Sequence, residues 1–389
     1  MIPVLPSAGA EHVAAGRHGR MSEPRVAIVH YWLVGMRGGE RVLERLLALF
    51  PGADVFTHVY DPARMSEAIR KSRVTTTWIN GLPFARRFYQ YYLPLMPMAL
   101  EQLDLSGYDL VISSESGPAK GVITSPHAHH LCYCHSPMRY LWDHYHLYRR
   151  DANPVARAAM PLIYHRMRQW DIASSARVDT VVANSSFIRE RVRKFWRREA
   201  EVIHPPVDTR MFTPSLDVDE RYLWVGQMVP YKRPDLAVEA FNHTGLPLLM
   251  VGEGAMLARL QKTAGPNIRF VPRLNFNELR EAYARARGLV FTAEEDFGIV
   301  PVEAMASGRP VLAYGRGGVL DSVVPGETGL FFDRQSAESL VDGLERFERW
   351  LPEFDSRRAI EQSNLFSPEH FDRKMLAAVR RATAAGAPS

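Results

Sequence analysis

The chain has 389 residues, 46% hydrophobic and 23% charged, the balance of an ordinary globular protein with room for two domain-sized cores. A net charge of only +5 excludes a molecule that is basic all over, so any surface for an acidic partner must be local. Two cysteines, Cys132 and Cys134, make no disulfide framework and fit a reducing compartment, and no run approaches the roughly eighteen apolar residues of a membrane span.

Residues 1–22 scatter Gly, Ala, His and Arg without the apolar centre of a signal peptide, so a disordered tail is expected, with Met21 a candidate start and the cytoplasm the expected location. Order should begin with a strand over Arg25–Tyr31, a glycine-rich loop over Gly35–Gly39 and an amphipathic helix over Glu40–Phe50. That succession opens a Rossmann-like unit, although GMRGGE is not GxGxxG and is weak by itself. A strand over Asp54–Val59 and a helix over Asp61–Lys71 come next. The segment Phe84–Leu100, FARRFYQYYLPLMPMAL, mixes arginines with aromatics. Two readings stand for it: rings at a water–lipid boundary, or rings packed between helices.

After a buried strand over Tyr108–Ser113 comes HAHHLCYCH, His127 to His135. Its composition would suit zinc, but C-x-C in a strand puts both sulfurs on one face without a chelating turn. The better reading is a strand, Leu131–Cys134, that delivers His135 to its C-terminal end, where open α/β sheets place ligands. Asn153–Ala176 reads as a helix and Thr180–Ala183 as a strand, with Asn184 or Ser185 to cap the next helix. That next stretch, Phe187–Arg198, is basic and amphipathic, a candidate anionic-lipid surface or a solvated helix face. No nucleic-acid recognition motif accompanies these charges. Glu201–His204 closes the first half, and the stiff pair Pro205-Pro206 puts a domain boundary near Pro205.

The second half restarts the alternation: a strand at Tyr222–Val225, a helix over Lys232–Asn242 with Lys232 near its amino end, a strand entering Gly252, and a strand Asn267–Val271 leaving through Pro272-Arg273-Leu274. Then a buried strand, Gly288–Ala293, runs into EEDFGIVPVEAMASGRPV, Glu294 to Val311. A helix over Pro301–Ser307 would place its amino end at Gly298–Pro301, where unpaired N–H groups and the dipole favour a phosphate. Glu295 then precedes the anion site and Glu303 stands behind it; alone, the acidic loop could equally be solvated. A strand at Pro310–Ala313 and helices at Leu340–Phe347 and Pro368–Ala382 complete the chain. Two alternating halves without a 20–50-residue repeat predict an α/β molecule of two doubly wound domains facing across a cleft.

The string GxxPxEAMAxGxPV behind Glu295 resembles the donor-site signature of retaining glycosyltransferases of family 4, the two-domain GT-B class, and the resemblance runs from about Arg25 to the last helix. It implies an acceptor-side domain over 23–205, a nucleotide-sugar domain over 206–367, and a helix within 368–389 crossing back onto the first. It also implies roles. Gly38 and Gly39 would lie near the donor phosphate, and His135 would border the donor sugar. Lys232 would neutralise the diphosphate, with Gln227 standing where the family carries an arginine, so one positive charge is missing. Arg273 would belong to the base-binding loop, Phe297, Gly298, Ile299 and Val300 to the phosphate cradle, Glu295 to the sugar hydroxyls and Glu303 to the ribose. The continuation SPMRYLWDHYHLY resembles bacterial mannosyltransferases of O-antigen and exopolysaccharide assembly, which offers Arg139, Tyr140, Trp142 and Asp143 as acceptor or sugar contacts. That branch implies a GDP-mannose donor, with UDP-sugars as competitor, a polyprenyl-diphosphate-linked saccharide acceptor, and an anionic inner membrane face. No metal or other cofactor is required, since no DxD-type motif is apparent. A nucleotide-sugar-binding partner without turnover is the rival, favoured by Gln227. A dehydrogenase is disfavoured by the missing GxGxxG.

Overall fold

A computed structural model describes residues 24–385; the amino-terminal tail and Met21 lie outside the described residues. Short apolar runs punctuated by Gly, Pro and Asp form two sheets whose paired strands are all parallel. The first contains β1 (Val26–His30), β2 (Asp54–Thr57), β3 (Val74–Thr76), β4 (Leu110–Glu115), β5 (His129–Cys134), β6 (Thr180–Ala183) and β7 (Glu201–Val202), in the order β3-β2-β1-β4-β5-β6-β7. The second contains β8 (Tyr222–Val225), β9 (Leu248–Val251), β10 (Ile268–Val271), β11 (Leu289–Phe291), β12 (Val311–Tyr314) and β13 (Gly329–Phe332), in the order β10-β9-β8-β11-β12-β13. Parallel strands covered on both faces need side chains that are apolar on both, hence runs such as VAIVH that are buried throughout. The fold is α/β, GT-B: two Rossmann-like units.

In each sheet the strand order reverses once, between β1 and β4 and between β8 and β11. Such a switch opens a crevice at the carboxyl ends of the strands, where a ligand can approach backbone from both sides. The loops that leave β1, β8 and β11 therefore bring their residues toward one gap between the domains.

Chain crossing occurs twice and at one place. After β7 the chain passes through His204–Val207 into the second domain, and the Val207 N–H donates to the Phe366 carbonyl at 2.8 Å. From Pro368 to Ala385 a helix returns, burying Phe371, Met375 and Ala378 among Ile28, Leu43, Ile112 and Tyr133 of the first core. Its Asp372 takes a hydrogen bond from Arg45 Nε at 2.6 Å.

Some local expectations need correction. The segment 61–71 is a 3-10 turn, Pro62–Arg64, and a separate helix, Glu67–Lys71, because Met65 and Ser66 are extended. The helix expected from Lys232 starts at Pro234 instead. Residues before proline resist the helical region, and Arg233 there is left-handed, so Lys232 belongs to the preceding turn, Pro230–Lys232. The structure adds the strands β3 and β13 and the helices Leu257–Thr263, Phe276–Arg285 and Ser356–Asn364 to those expected.

Candidate active site at the interdomain cleft

A cavity of about 710 Å³ lies between the domains, within the range of small-molecule sites. Its first wall comes from β1 and the loop after it: Tyr31, Arg37, Gly38 and Gly39, with His135 from the end of β5. The opposite wall comes from the exits of β8 and β11: Gln227, Lys232, and the run Glu295 to Val300.

The helix Ile299–Ala306 points its amino end into this gap. Gly298 precedes it at φ 87°, a left-handed conformation that glycine adopts without strain. Across the gap stands Gly38: a Cβ there would sit 3.4 Å from Ile299 Cδ1, so the glycine loop and the helix start are in near contact. Gly39 has a different reason to lack a side chain, since a Cβ would fall 2.3 Å from the Tyr31 hydroxyl.

Lys232 Nζ lies 2.7 Å from Glu295 Oε1, and both are mostly buried. Burial lowers the ammonium's pKa, but the Glu295 carboxylate outweighs that and the group titrates above its ordinary value. Lys232 is therefore a fixed cation beside the helix end. His135 is buried and held neutral: desolvation, then nearby His30, bring it down to about 3. Its Nε2 shares a hydrogen bond with Ser114 Oγ at 2.8 Å.

A second pair closes the gap. Arg139 reaches from the first domain to Asp296 of the second, Nη2 to Oδ1 at 2.6 Å and Nε to the same oxygen at 3.1 Å. Nearby, Ser185 caps its own helix and also donates to the Asp296 carbonyl. Asp321 accepts from the Ser186 N–H at 2.6 Å and from His204 at 2.9 Å. An acid of the second domain thus caps a helix of the first.

Other residues singled out in the sequence are placed elsewhere. Glu303 does not line the cavity; its carboxylate accepts from the Tyr283 hydroxyl at 2.8 Å, and burial pushes its pKa up. Arg273 is exposed after β10 and also lies outside the cavity. Of the four acceptor candidates, Arg139 alone lines the cleft. Asp143, itself exposed, pairs with Arg191, Trp142 donates to Asp171 at 2.8 Å, and Tyr140 packs edge-on to Tyr148, so the first two are engaged by partners of the first domain and Tyr140 stands behind a residue of the wall. The basic helix Ser186–Trp196 buries Ile188, Val192 and Trp196 in that domain, which removes the apolar face a lipid surface would need. In the HAHHLCYCH run, His129 and His130 bond Thr180 and Ser113, and both cysteines are buried thiols.

The structure adds Tyr31, Arg37 and Asn184 to the cavity wall. Arg37 could have been noticed as the cation inside the glycine loop. Asn184 is 5% exposed and its Oδ1 has no partner among the described residues, whereas neighbouring Ser185 does the capping. Its sequence position at a strand end was the available signal.

Two family models divide the chain: Glycosyltransferase Family 4 matches residues 36–211, and Glycosyl transferases group 1 matches 211–362. A D-inositol 3-phosphate glycosyltransferase of Nocardioides sp. is 29% identical over 252 residues, 53% of this chain and 54% of its own. The chain thus spans about half the length of the curated relatives it matches. Among solved structures, Anabaena Alr3699/HepE in complex with UDP and glucose superposes with a TM-score of 0.66 at 14% identity, over 92% of this chain and 100% of that one. Sucrose-phosphate synthase from Thermosynechococcus elongatus gives 0.69 at 20% identity, over 93% and 100%.

Proposed function

Because the chain belongs to the family 4 glycosyltransferases of GT-B fold, we propose that it transfers a hexose from a nucleoside-diphosphate sugar to a hydroxyl of an acceptor, with retention of configuration. The observation that carries this reading is the Lys232–Glu295 pair set beside the open amino end of helix Ile299–Ala306, with Gly38 in near contact opposite.

In this reading the anomeric carbon–phosphate oxygen bond breaks as the acceptor oxygen attacks from the same face, and the acceptor's proton passes to the departing phosphate. Charge grows on that phosphate. Lys232 and the N–H groups at Gly298 and Ile299 stabilise it in a water-poor gap, where fixed donors count for several kcal/mol. Gln227 supplies an amide where the resemblance implies an arginine, and Arg37, on the opposite wall, adds the second cation. Glu295 turns from Lys232 to the sugar hydroxyls once the donor is bound, and His135 borders the sugar. Glu303, joined to Tyr283, supports the ribose side from behind the wall rather than from within it. No metal or other cofactor enters the scheme.

GDP-mannose is the donor favoured by the run SPMRYLWDHYHLY, and the acceptor is a polyprenyl-diphosphate-linked saccharide of surface-polysaccharide synthesis. A UDP-sugar is the second reading, supported by the UDP in the Anabaena neighbour. No helix among the described residues is long and apolar enough to cross a membrane. The segment 84–98 nonetheless exposes Phe84 (75%), Tyr91 (70%) and Met98 (51%) beside Arg86 and Arg87, a patch suited to an anionic membrane face. That patch would attach the protein peripherally at the cytoplasmic side.

Release of nucleoside diphosphate across a panel of GDP- and UDP-sugars, with lipid-linked acceptors, tests the reading. Turnover should appear with one donor, and Lys232→Ala should lower kcat/KM by roughly 10²–10³ while the fold persists. Tight donor binding without release would instead support a non-catalytic partner. Sedimentation with phosphatidylglycerol vesicles should carry the protein down, and Phe84→Ser with Tyr91→Ser should leave it in the supernatant.

A further inference from the structure

Behind the glycine loop a line of buried polar side chains runs from the first helix to the cleft. Glu40, in the first turn of helix Gly38–Leu49, is 2% exposed. One of its carboxylate oxygens accepts from the Arg37 N–H at 2.8 Å, and the other lies 3.6 Å from His30 Nε2. His30 Nδ1 is 3.0 Å from Ser114 Oγ, and Ser114 Oγ is 2.8 Å from His135 Nε2. His30 and Ser114 are fully buried, on adjacent parallel strands, so water does not compete for these groups.

We propose that Glu40, His30 and Ser114 are positioning residues that fix His135 as its Nε2–H tautomer, presenting the Nδ1 lone pair to a hydroxyl of the sugar donor. The sense of the line is set by its anionic end. His30 Nε2 has no hydrogen-bond partner among the described residues, and Glu40 is the carboxylate facing it. At 3.6 Å the contact is electrostatic rather than a closed hydrogen bond, yet two facing lone pairs in a buried site would repel, so Nε2 carries the proton. In the form of His30 that carries its one ring proton on Nε2, only a lone pair remains at Nδ1, and the Ser114 hydroxyl must donate to it. With its single proton spent, Ser114 Oγ can only accept from His135. His135 therefore keeps its proton on the inward nitrogen. Its Nδ1 makes no hydrogen bond among the described residues and is not among the sealed, partnerless atoms, so it is the polar edge that this cavity-lining ring turns outward. The depressed pKa of Glu40, with His30 among its causes against the opposing effect of burial, agrees with an ionised end.

The role given to the outward nitrogen rests on the sugar-transfer reading; the tautomer does not. Nitrogen-15 NMR of the full chain labelled at histidine, with the His135 signals assigned by loss in His135→Gln, reads the tautomer directly without donor or acceptor. The expected result is one ring nitrogen with the shift of a protonated imidazole nitrogen at Nε2 and an unprotonated shift at Nδ1, at about pH 7. In Ser114→Ala and in Glu40→Ala the His135 pair should move, although residue 40 does not touch His135. A proton found on Nδ1 of the unaltered protein overturns the proposal. So does a His135 signal indifferent to both substitutions in protein that circular dichroism shows folded. Should the tautomer be as expected while no donor is turned over, the transfer reading fails and the positioning line stands. In an active enzyme, Ser114→Ala should lower kcat by about tenfold or more with little change in donor Kd.

Discussion

The two domains share a topology and differ in what they bury. Among the described residues, the first encloses His30, Glu40, His58, Glu115, Lys120, His130, His135, Asp171 and Arg191, whereas the second buries one charged side chain, Arg309. In the first, the charges are matched: Lys120 pairs with Asp171 and with Glu115 at 3.3 Å, and Asp171 also takes the indole N–H groups of Trp142 and Trp196, each at 2.8 Å. The second packs Tyr222, Trp224, Phe241, Phe332 and Phe347 into an apolar core and keeps Lys232, Glu295 and Asp296 at the cleft. Burying ions is costly unless each is answered, so such a network holds groups in one arrangement at the expense of tolerance to change. One domain therefore offers preset polar geometry, and the other a stiff platform with a cation at its edge.

Acid should separate them most strongly. His58 and His130 are held by burial down to about 4 and His135 to about 3, against an ordinary value near 6.5. The folded chain keeps all three neutral where the unfolded chain protonates them. The unfolded state then binds more protons, and stability falls with falling pH from about 6.5 toward 4, on the order of 1 kcal/mol per pH unit for each histidine. Above about pH 7 these groups contribute no slope. Hydrogen exchange at about pH 5 should accordingly show the first sheet opening before the second; equal loss in both sheets would erase the contrast.

Next in size is the buried triad. Lys120→Ala leaves Glu115 and Asp171 without their cation and should cost about 3–5 kcal/mol in urea unfolding. Phe241→Ala in the second domain should cost a similar amount, about 3–5 kcal/mol, through a cavity instead. The discriminating measurement is pH: the loss from Phe241→Ala should be flat between about pH 5 and 8, while that from Lys120→Ala should shrink as acid neutralises the stranded carboxylates.

The smallest effect concerns the glycine pair. Gly39→Ala drives a methyl into the Tyr31 hydroxyl and should cost about 1–3 kcal/mol. Gly38→Ala meets only Ile299 Cδ1, across the gap, and should leave the melting temperature nearly unchanged while weakening nucleotide binding. Similar losses of stability for both would mean that the loop does not face the second domain.

Much of the architecture was legible because alternating apolar runs and glycine turns report local structure, and local structure sets a parallel α/β sheet. Tyr222–Val225 and Thr180–Ala183 form strands with the bounds read from sequence. The helix start at Gly298 was legible for the same reason: glycine, then Pro301 in the first turn. What escaped depends on contacts between segments far apart. Nothing around Trp142 or Asp143 signals that Asp171 and Arg191, about thirty and fifty residues on, claim them. Basic periodicity in 187–198 looks the same whether its apolar side meets lipid or Val181 and Cys134. The orientation of Glu303 was equally hidden, because its spacing from Glu295 does not say which side chain finds Tyr283.

The paired crossing has a mechanical consequence. The two backbone segments that join the domains run side by side, tied by the Val207–Phe366 hydrogen bond and by His204 packed against Phe366 at 5.1 Å between ring centroids. Two plies laid together bend readily across their width and resist being wrung. A swing of the lobes about these two plies would have to break Arg139–Asp296 together with the contacts of Ser185 to Asp296 and of Ser186 to Asp321.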